Sequence, residues 1–149
     1  MTRPDSSSNL TLDKQICFSL YSASNAMARS YQPLLKKLDL TYLQYIVMMV
    51  LWQDSTMNVK ELGAKVHLDS GTLTPLLKRL EAKGLVIRSR SQSDERVRLI
   101  SLSDAGKKLR QAAEQVPDMM MCKSKMTSEE LSSLKQACDL LLKNLTAAD

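Results

Sequence analysis

The sequence contains few residues of the kinds that interrupt helices or bind metals. Its 149 residues include only four glycines and four prolines, which leaves little room for long loops and predicts a mostly helical fold. There is a single histidine, and the sequence has no Cys-x-x-Cys pair and no glycine loop of the phosphate-binding type. We therefore expect neither a metal site nor a nucleotide site, and no cofactor.

Long hydrophobic runs are also missing. No apolar run reaches the roughly 18 residues that a membrane helix needs. Residues 1–11 are polar, so we expect no membrane span, no membrane partner and no secretory signal. Three cysteines, an odd number without scaffold-like spacing, indicate a reducing compartment, hence the cytoplasm. The formal net charge of +5 favours an anionic partner without identifying it.

Residues 68–81 carry the pattern that organises the rest of the sequence. Leucines recur at helical spacing on one face, while the opposite face carries small hydroxyls first and cations later. This order suits a helix whose early turns enter a major groove and whose later turns meet phosphate. We interpret the segment as a DNA-recognition helix; an ordinary amphipathic helix with a solvated basic face is the alternative. The apolar face comprises Leu73, Leu76, Leu77 and Leu80, and the candidate DNA contacts are Ser70, Thr72, Thr74, Pro75, Lys78 and Arg79.

Two β-prone runs follow this helix. After a glycine-type helix stop at residues 83–84, residues 85–91 and 97–102 flank a charged tip, which predicts a β-hairpin. A helix-turn-helix followed by a basic hairpin is the order of a winged helix. Residues 78–98 include seven Lys or Arg and three acids, so the local field is positive. An arginine at the tip can enter a minor groove. A nearby aspartate in the same tip can hold the arginine side chain in place. The candidate DNA contacts in this wing are Arg88, Asp94 and Arg96.

We expect helices on both sides of the winged helix-turn-helix, which spans residues 41–102. One runs from about residue 12 to 38. A long helix that begins near Ser103 is interrupted near Pro117, and a last helix follows a capping-box pattern at Thr127. The last helix has an apolar seam with steps of three and four residues, which is typical of helix pairing. The seam consists of Leu131, Leu134, Cys138, Leu141 and Leu145.

These outer helices predict a dimer. A winged domain of this size does not need an apolar helix at each end, so we expect residues 12–38 and 103–146 to be dimerisation helices. The predicted organisation is a disordered N-terminus at residues 1–11 and a single domain over residues 12–149. Dimerisation would place two recognition helices about 34 Å apart, as a palindromic operator in double-stranded DNA requires.

Residues 12–145 resemble the MarR family of dimeric winged-helix regulators. The pattern Asp94-Glu95-Arg96 matches the wing of the family. Residues 16–23, 40–45 and 68–75 resemble the runs of its organic-hydroperoxide-resistance regulator branch, OhrR. The resemblance implies a mainly α fold with a small β-hairpin wing, in which a winged helix-turn-helix domain is accompanied by N- and C-terminal dimerisation helices.

The resemblance also implies a redox site. Cys17 matches the peroxide-sensing cysteine of the branch, and Cys122 matches the second cysteine of its two-cysteine subtype. Tyr31 and Tyr42 match two tyrosines of the sensing pocket. On sequence alone, Cys17 could instead be a small core residue, the tyrosines ordinary packing and Cys122 an idle surface thiol. Cys138 lies on the leucine seam and is expected to be a small apolar core residue.

Cys17 and Tyr31 lie on one face of the first helix but far apart along it. Fourteen residues at 1.5 Å each separate them by ~21 Å, which no tyrosine side chain spans. If the two side chains meet, they meet across a dimer whose first helices are antiparallel. Cys17 is expected about one turn inside the positive end of its helix, which favours the thiolate, the reactive form of cysteine.

The expected function is regulation of transcription, not enzymatic catalysis. We predict a homodimeric repressor that releases its operator when an organic hydroperoxide oxidises Cys17 to a sulfenic acid, followed by a disulfide with Cys122 of the partner subunit. Two alternatives stay open at this stage. One is a MarR-type regulator displaced by a non-covalent aromatic ligand. The other is a thiol peroxidase, in whose chemistry the basic helix and wing would have no role.

Overall fold

A computed structural model gives the fold and describes residues 9–147. Residues 1–8 of the predicted disordered N-terminus lie outside the described residues. A 3-10 turn at Leu12–Lys14 comes first. The elements that follow are α1 Ile16–Lys36, α2 Tyr42–Gln53, β1 Thr56–Asn58, α3 Val59–Val66, α4 Ser70–Ala82, β2 Val86–Arg90, β3 Arg98–Leu102, α5 Asp104–Ala113, α6 Val116–Ser124 and α7 Ser128–Thr146.

The chain divides into two compact units, residues 1–114 and residues 115–149. The first unit holds α1 to α5 and the sheet, and the second holds α6 and α7. The predicted fold class, mainly helical with a small β wing, is confirmed. None of the described helices is long and apolar enough to cross a membrane.

Helix α2 forms the centre of the first unit. Val47, Met48 and Leu51 are fully buried, as the nearly continuous apolar sequence of this segment indicates. The helix begins with a capping box, in which the Thr41 hydroxyl accepts from the Gln44 backbone N–H and the Gln44 side chain accepts from the Thr41 backbone N–H. These bonds satisfy backbone donors that would otherwise be orphaned at the start of a buried helix.

The helix-turn-helix consists of α3 and α4. Asp69 caps α4 by accepting the Thr72 backbone N–H at 2.8 Å, and all four leucines of its predicted apolar face are buried. Pro75 lies inside α4 and is exposed. Because proline has no backbone N–H, the Gly71 carbonyl in the first turn loses its intrahelical donor, and no other carbonyl is affected. The helix ends before Gly84, whose φ of 76° is the left-handed conformation that glycine adopts at little cost.

The wing is an antiparallel hairpin of β2 and β3, to which β1 adds a third strand in the order β1-β3-β2. Ile100 is the fully buried centre of the sheet, paired with Met57 on one side and Arg88 on the other. The hairpin is confirmed at the predicted place. Because β2 has a neighbour on one side only, the wing presents an open edge.

Two predicted helix boundaries are wrong. α1 begins at Ile16 and not at residue 12 or 13, because Gln15 adopts an extended conformation and its side-chain amide donates to the carbonyls of Asn9 and Thr11. The long helix from Ser103 ends at Ala113, before the predicted break at Pro117. Pro117 instead lies in the first turn of α6, where its missing N–H leaves no intrahelical bond unmade.

Much of the apolar surface of the terminal helices is uncovered in the single chain. Within α7 no residue is buried, and Leu134 and Leu145 are 47% and 76% exposed. Cys138 is partly exposed, so the expectation that it is a core residue is wrong for this chain by itself. In α1, Ile16 and Tyr21 are also exposed.

Candidate nucleic-acid interface and redox site

The predicted contacts of α4 share one surface of the helix. Ser70, Thr72 and Pro75 are exposed, Thr74 is half-buried, and Lys78 and Arg79 are exposed one turn later. The buried leucines fix this orientation, because they hold the opposite face of the same helix against the core. Hydroxyls near the start of the helix can meet base edges, and the cations that follow can neutralise phosphate.

A cleft of about 380 Å³ separates α4 from the wing. Three cations, Lys78, Arg88 and Arg98, line it together with Thr74. Arg98 was not among the predicted contacts, although it belongs to the excess of cations counted in residues 78–98. The hydroxyl and cationic side chains of the helix therefore face the cations of the wing across one cleft.

Arg88 is held by an acid of the recognition helix. Its backbone N–H donates to Oε2 of Glu81 at 3.2 Å, and its Nε donates to Oε1 at 3.2 Å. Nη2 lies 3.2 Å from the same Oε1. Hydrogen bonds from the guanidinium, and then from the backbone of Arg88, lower the pKa of Glu81. The sequence predicted Arg88 only as a DNA contact, and Glu81 was not among the predicted site residues.

The tip of the wing presents an arginine to solvent. The side chain of Arg96 is 96% exposed. Asp94 accepts the Arg96 backbone N–H at 3.0 Å, and its Oδ1 lies 3.8 Å from the Arg96 Nε. Asp94 therefore orders the backbone of the tip by a hydrogen bond, while its ion pair with the guanidinium is long and solvent-screened.

Cys17 is exposed in the first turn of α1. The later start of the helix puts this cysteine closer to the positive helix end than the sequence analysis expected. Ile16 and Phe18 beside it are 70% and 40% exposed, so its neighbourhood is apolar and open in the single chain. Cys17 is therefore not a buried core residue in the single chain.

Tyrosines meet between α1 and α2. The ring centroids of Tyr31 and Tyr42 are 4.9 Å apart, and those of Tyr31 and Tyr45 are 5.7 Å apart. Burial, and then the neighbouring tyrosines, raise the pKa values of Tyr31 and Tyr45, so both phenols remain protonated donors at neutral pH. Tyr45 was missed by the sequence analysis, although it lies three residues after Tyr42 on the same helix face. Cys17 lies elsewhere along α1, ~21 Å away by helix rise.

Cys122 is exposed in the last turn of α6, in the second unit. Helix α6 ends at Ser124, and the C-cap residue Lys125 adopts a left-handed φ of 55°. Met121 and Lys123 are its neighbours in sequence. All three cysteines are free thiols.

Comparison with known proteins identifies the family. Residues 29–113 match the family model described as transcriptional regulator SarA/Rot. The chain is 45% identical over 137 residues to the organic hydroperoxide resistance transcriptional regulator of Bacillus subtilis strain 168, covering 92% of this chain and 93% of that protein. The chain belongs to the MarR family of transcriptional regulators.

Solved structures of AbfR, a regulator of Staphylococcus epidermidis, are similar to this MarR-type chain. Reduced AbfR bound to DNA is 34% identical, with a TM-score of 0.78 over 95% of this chain and 99% of that one. Disulfide-formed AbfR, also 34% identical, has a TM-score of 0.64 over 92% and 96%. The prediction of a regulator with a winged helix-turn-helix, and not an enzyme, is confirmed by these relatives.

Proposed function

We propose that this MarR-family chain is a homodimeric repressor that binds a palindromic DNA operator through α4 and the wing and releases it when an organic hydroperoxide oxidises Cys17. One observation carries the proposal most directly: Cys17 is an exposed thiol in the first unit, which also contains the recognition helix and the wing. A relative named for organic hydroperoxide resistance supports the oxidant.

The proposed DNA contacts are divided by chemistry. Thr74 and the residues Ser70 and Thr72 at the start of α4 are proposed to read base edges, whereas Lys78 and Arg79 are proposed to bind phosphate. Arg96 at the wing tip is proposed to enter the minor groove. In support of this division, these side chains lie on the surface opposite the buried leucines or at the exposed hairpin tip.

The proposed dimer uses the terminal helices, residues 12–38 and 103–146. The exposed apolar side chains of α1 and the unburied leucine seam of α7 support it, because such surfaces are unfavourable in water without a partner. A second copy also resolves the distance problem in α1. Cys17 and Tyr31 are ~21 Å apart in one helix, so tyrosines that line the Cys17 site would come from the partner subunit.

The proposed redox step is a thiol oxidation in two stages. The Cys17 thiolate attacks the hydroperoxide, an S–O bond forms as the O–O bond breaks, and the alcohol leaves after taking up a proton. The Cys122 thiolate of the partner subunit then attacks the sulfenic sulfur, an S–S bond forms as the S–O bond breaks, and the hydroxide that leaves takes up a proton to become water. The phenols of the pocket, protonated at neutral pH, are suited to donate to the departing oxygen.

The deciding experiment is an operator titration with reduced and oxidised protein. DNA selected from a random pool by the reduced protein would serve as operator, and cumene hydroperoxide as oxidant. We expect at least a tenfold loss of affinity on oxidation, its reversal by dithiothreitol, and no loss in Cys17→Ser. Retained affinity after oxidation, with loss upon adding a phenolic ligand, would support the non-covalent alternative, and catalytic consumption of excess hydroperoxide would support a peroxidase.

A further inference from the structure

We infer that Glu81 is the positioning residue that sets the angle between the recognition helix and the wing, by holding the backbone and the guanidinium of Arg88. The inference rests on the DNA interface of the proposed function and assigns a role to a residue that does not itself touch DNA. Its basis is the pair of bonds from Arg88 to the two oxygens of one carboxylate, each 3.2 Å long.

The position of Glu81 is unfavourable for an acid unless a cation compensates it. It lies in the last turn of α4, where the helix dipole is negative, and on the element that would approach DNA phosphate. The guanidinium of Arg88 supplies that compensation, as the lowered pKa of Glu81 also indicates. The two side chains are only partly exposed, 40% for Glu81 and 31% for Arg88.

The bond geometry explains why this contact would orient the wing. Arg88 is the middle residue of β2, and β2 has a sheet neighbour on one side only. A bond from its backbone N–H fixes the strand itself, which a contact with the flexible side chain alone would not do. The hairpin extends about 10 Å beyond Arg88 at ~3.3 Å per residue. A rotation of about 10° at Arg88 would therefore move the tip, with Arg96, by roughly 2 Å, enough to break a hydrogen-bonded contact.

The competing role for Arg88 is a direct phosphate contact, and it predicts effects of opposite sign. If Arg88 binds phosphate, removing Glu81 frees the guanidinium and deletes a negative charge, so every DNA sequence should bind more tightly. If Glu81 positions the wing, removing it should weaken operator binding, because the wing loses its fixed angle. Non-specific binding, which needs charge more than shape, should not weaken.

The test compares Glu81→Ala with Glu95→Ala in the reduced full-length protein. Glu95 lies at the exposed tip of the wing, so its removal changes the net charge by the same amount on the same side of the molecule. Affinity for the operator and for random DNA would be measured across a series of salt concentrations, with thermal melting as the control for folding. Glu81→Gln, which keeps the size and one acceptor, is the milder variant for the case in which alanine disturbs the helix.

We expect Glu81→Ala to weaken operator binding by about 3- to 10-fold, while random DNA binds equally well or up to about threefold more tightly. Glu81→Gln should give a smaller loss in the same direction, and the salt slope should stay within about one unit of the wild type. Glu95→Ala should not weaken binding to either DNA. Arg88→Gln keeps the backbone N–H, so in this background Glu81→Ala should still lower operator affinity relative to random DNA, by less than in the wild type.

Equal or tighter operator binding by Glu81→Ala would overturn the inference, as would a loss that is the same on operator and random DNA. Failure of the wild-type protein to prefer any operator would instead overturn the proposed function. The two failures are therefore distinguishable.

Discussion

Replacing Gly106 with alanine should destabilise the first unit, although α5 would gain a better helix former. On helix propensity alone, the change should stabilise by about 1 kcal/mol. A Cβ at Gly106, however, would lie 2.1 Å from the backbone oxygen of Leu85 and 3.2 Å from the side chain of Leu102. The nearer atom belongs to the backbone and cannot rotate away, so α5 or the chain at Leu85 has to move by about 1 Å to restore an ordinary contact.

Little in the surroundings of Gly106 can give way without loss. Its N–H donates to Oγ of Ser103 at 3.0 Å, and its carbonyl accepts the indole N–H of Trp52 at 2.9 Å. The Leu85 carbonyl accepts the Ser103 backbone N–H at 3.1 Å. Overpacking costs about 1–3 kcal/mol and a lost hydrogen bond about 1 kcal/mol. After subtraction of the propensity gain of about 1 kcal/mol, we expect a net loss of about 1–3 kcal/mol.

Urea unfolding at one fixed protein concentration measures this effect. Trp52 is the only tryptophan and is hydrogen-bonded to Gly106, so its fluorescence reports unfolding and also the local contact. Gly71→Ala is the matched control, because its Cβ would meet only the Asp69 carboxylate, at 3.3 Å, in the first turn of α4. That variant should leave the free energy of unfolding unchanged or raise it by up to about 1 kcal/mol, the gain in helix propensity. A Gly106→Ala protein as stable as the wild type would show that the contact with Leu85 is not a constraint.

The remaining predictions concern the wing tip, the last helix and the tyrosines. Arg96→Ala should lower operator affinity by about 1–3 kcal/mol. The melting temperature should not change, because the side chain is 96% exposed. An altered melting temperature would mean that the tip has a structural role. A chain that stops before Thr127 should dissociate to monomers in sedimentation experiments, and a truncated dimer would exclude the α7 seam as an essential interface. Because burial raises the pKa of Tyr31 above 10.0, its contribution to stability is complete below pH 10 and is lost as the pH rises further. Urea unfolding should therefore show a steeper loss above pH 10 for the wild type than for Tyr31→Phe, and equal slopes would refute this assignment.

The sequence predicted best where local signals and burial agree. The four leucines of α4 were predicted to share one apolar face because their spacing has a single helical interpretation, and all four are buried. The start of α1 could not be predicted in the same way. It depends on the bonds of the Gln15 side chain to two carbonyls, and hydrophobic periodicity carries no information about such bonds.

The candidate site was less predictable than the fold, because its residues are joined by contacts between elements. Glu81 and Arg88 are seven residues apart, on a helix and a strand, so their bond depends on the angle at which the hairpin leaves α4. The contact of Tyr45 with Tyr31 could also be predicted only in part. Its spacing from Tyr42 places both on one face of α2, but only the packing of α1 against that face brings Tyr31 to both rings.

Complementation between two cysteine variants would test the cross-subunit disulfide of the proposed function. Cys17→Ser and Cys122→Ser, each combined with Cys138→Ser, lack opposite members of the pair. Each variant alone should form no covalent dimer when treated with cumene hydroperoxide. Subunits that have been mixed and allowed to exchange should form one, because a mixed dimer pairs the Cys17 of one chain with the Cys122 of the other.

The result depends on geometry, because a disulfide requires α-carbons within ~4.4–6.8 Å of each other. A disulfide formed within one chain would give no covalent dimer in the mixture, although wild-type chains would still be oxidised. An unexchanged mixture would serve as the control for collisions between separate dimers. Neither chain of the mixed dimer carries both Cys17 and Cys122. A covalent dimer that forms only after exchange would therefore establish that the two cysteines react across the subunit interface.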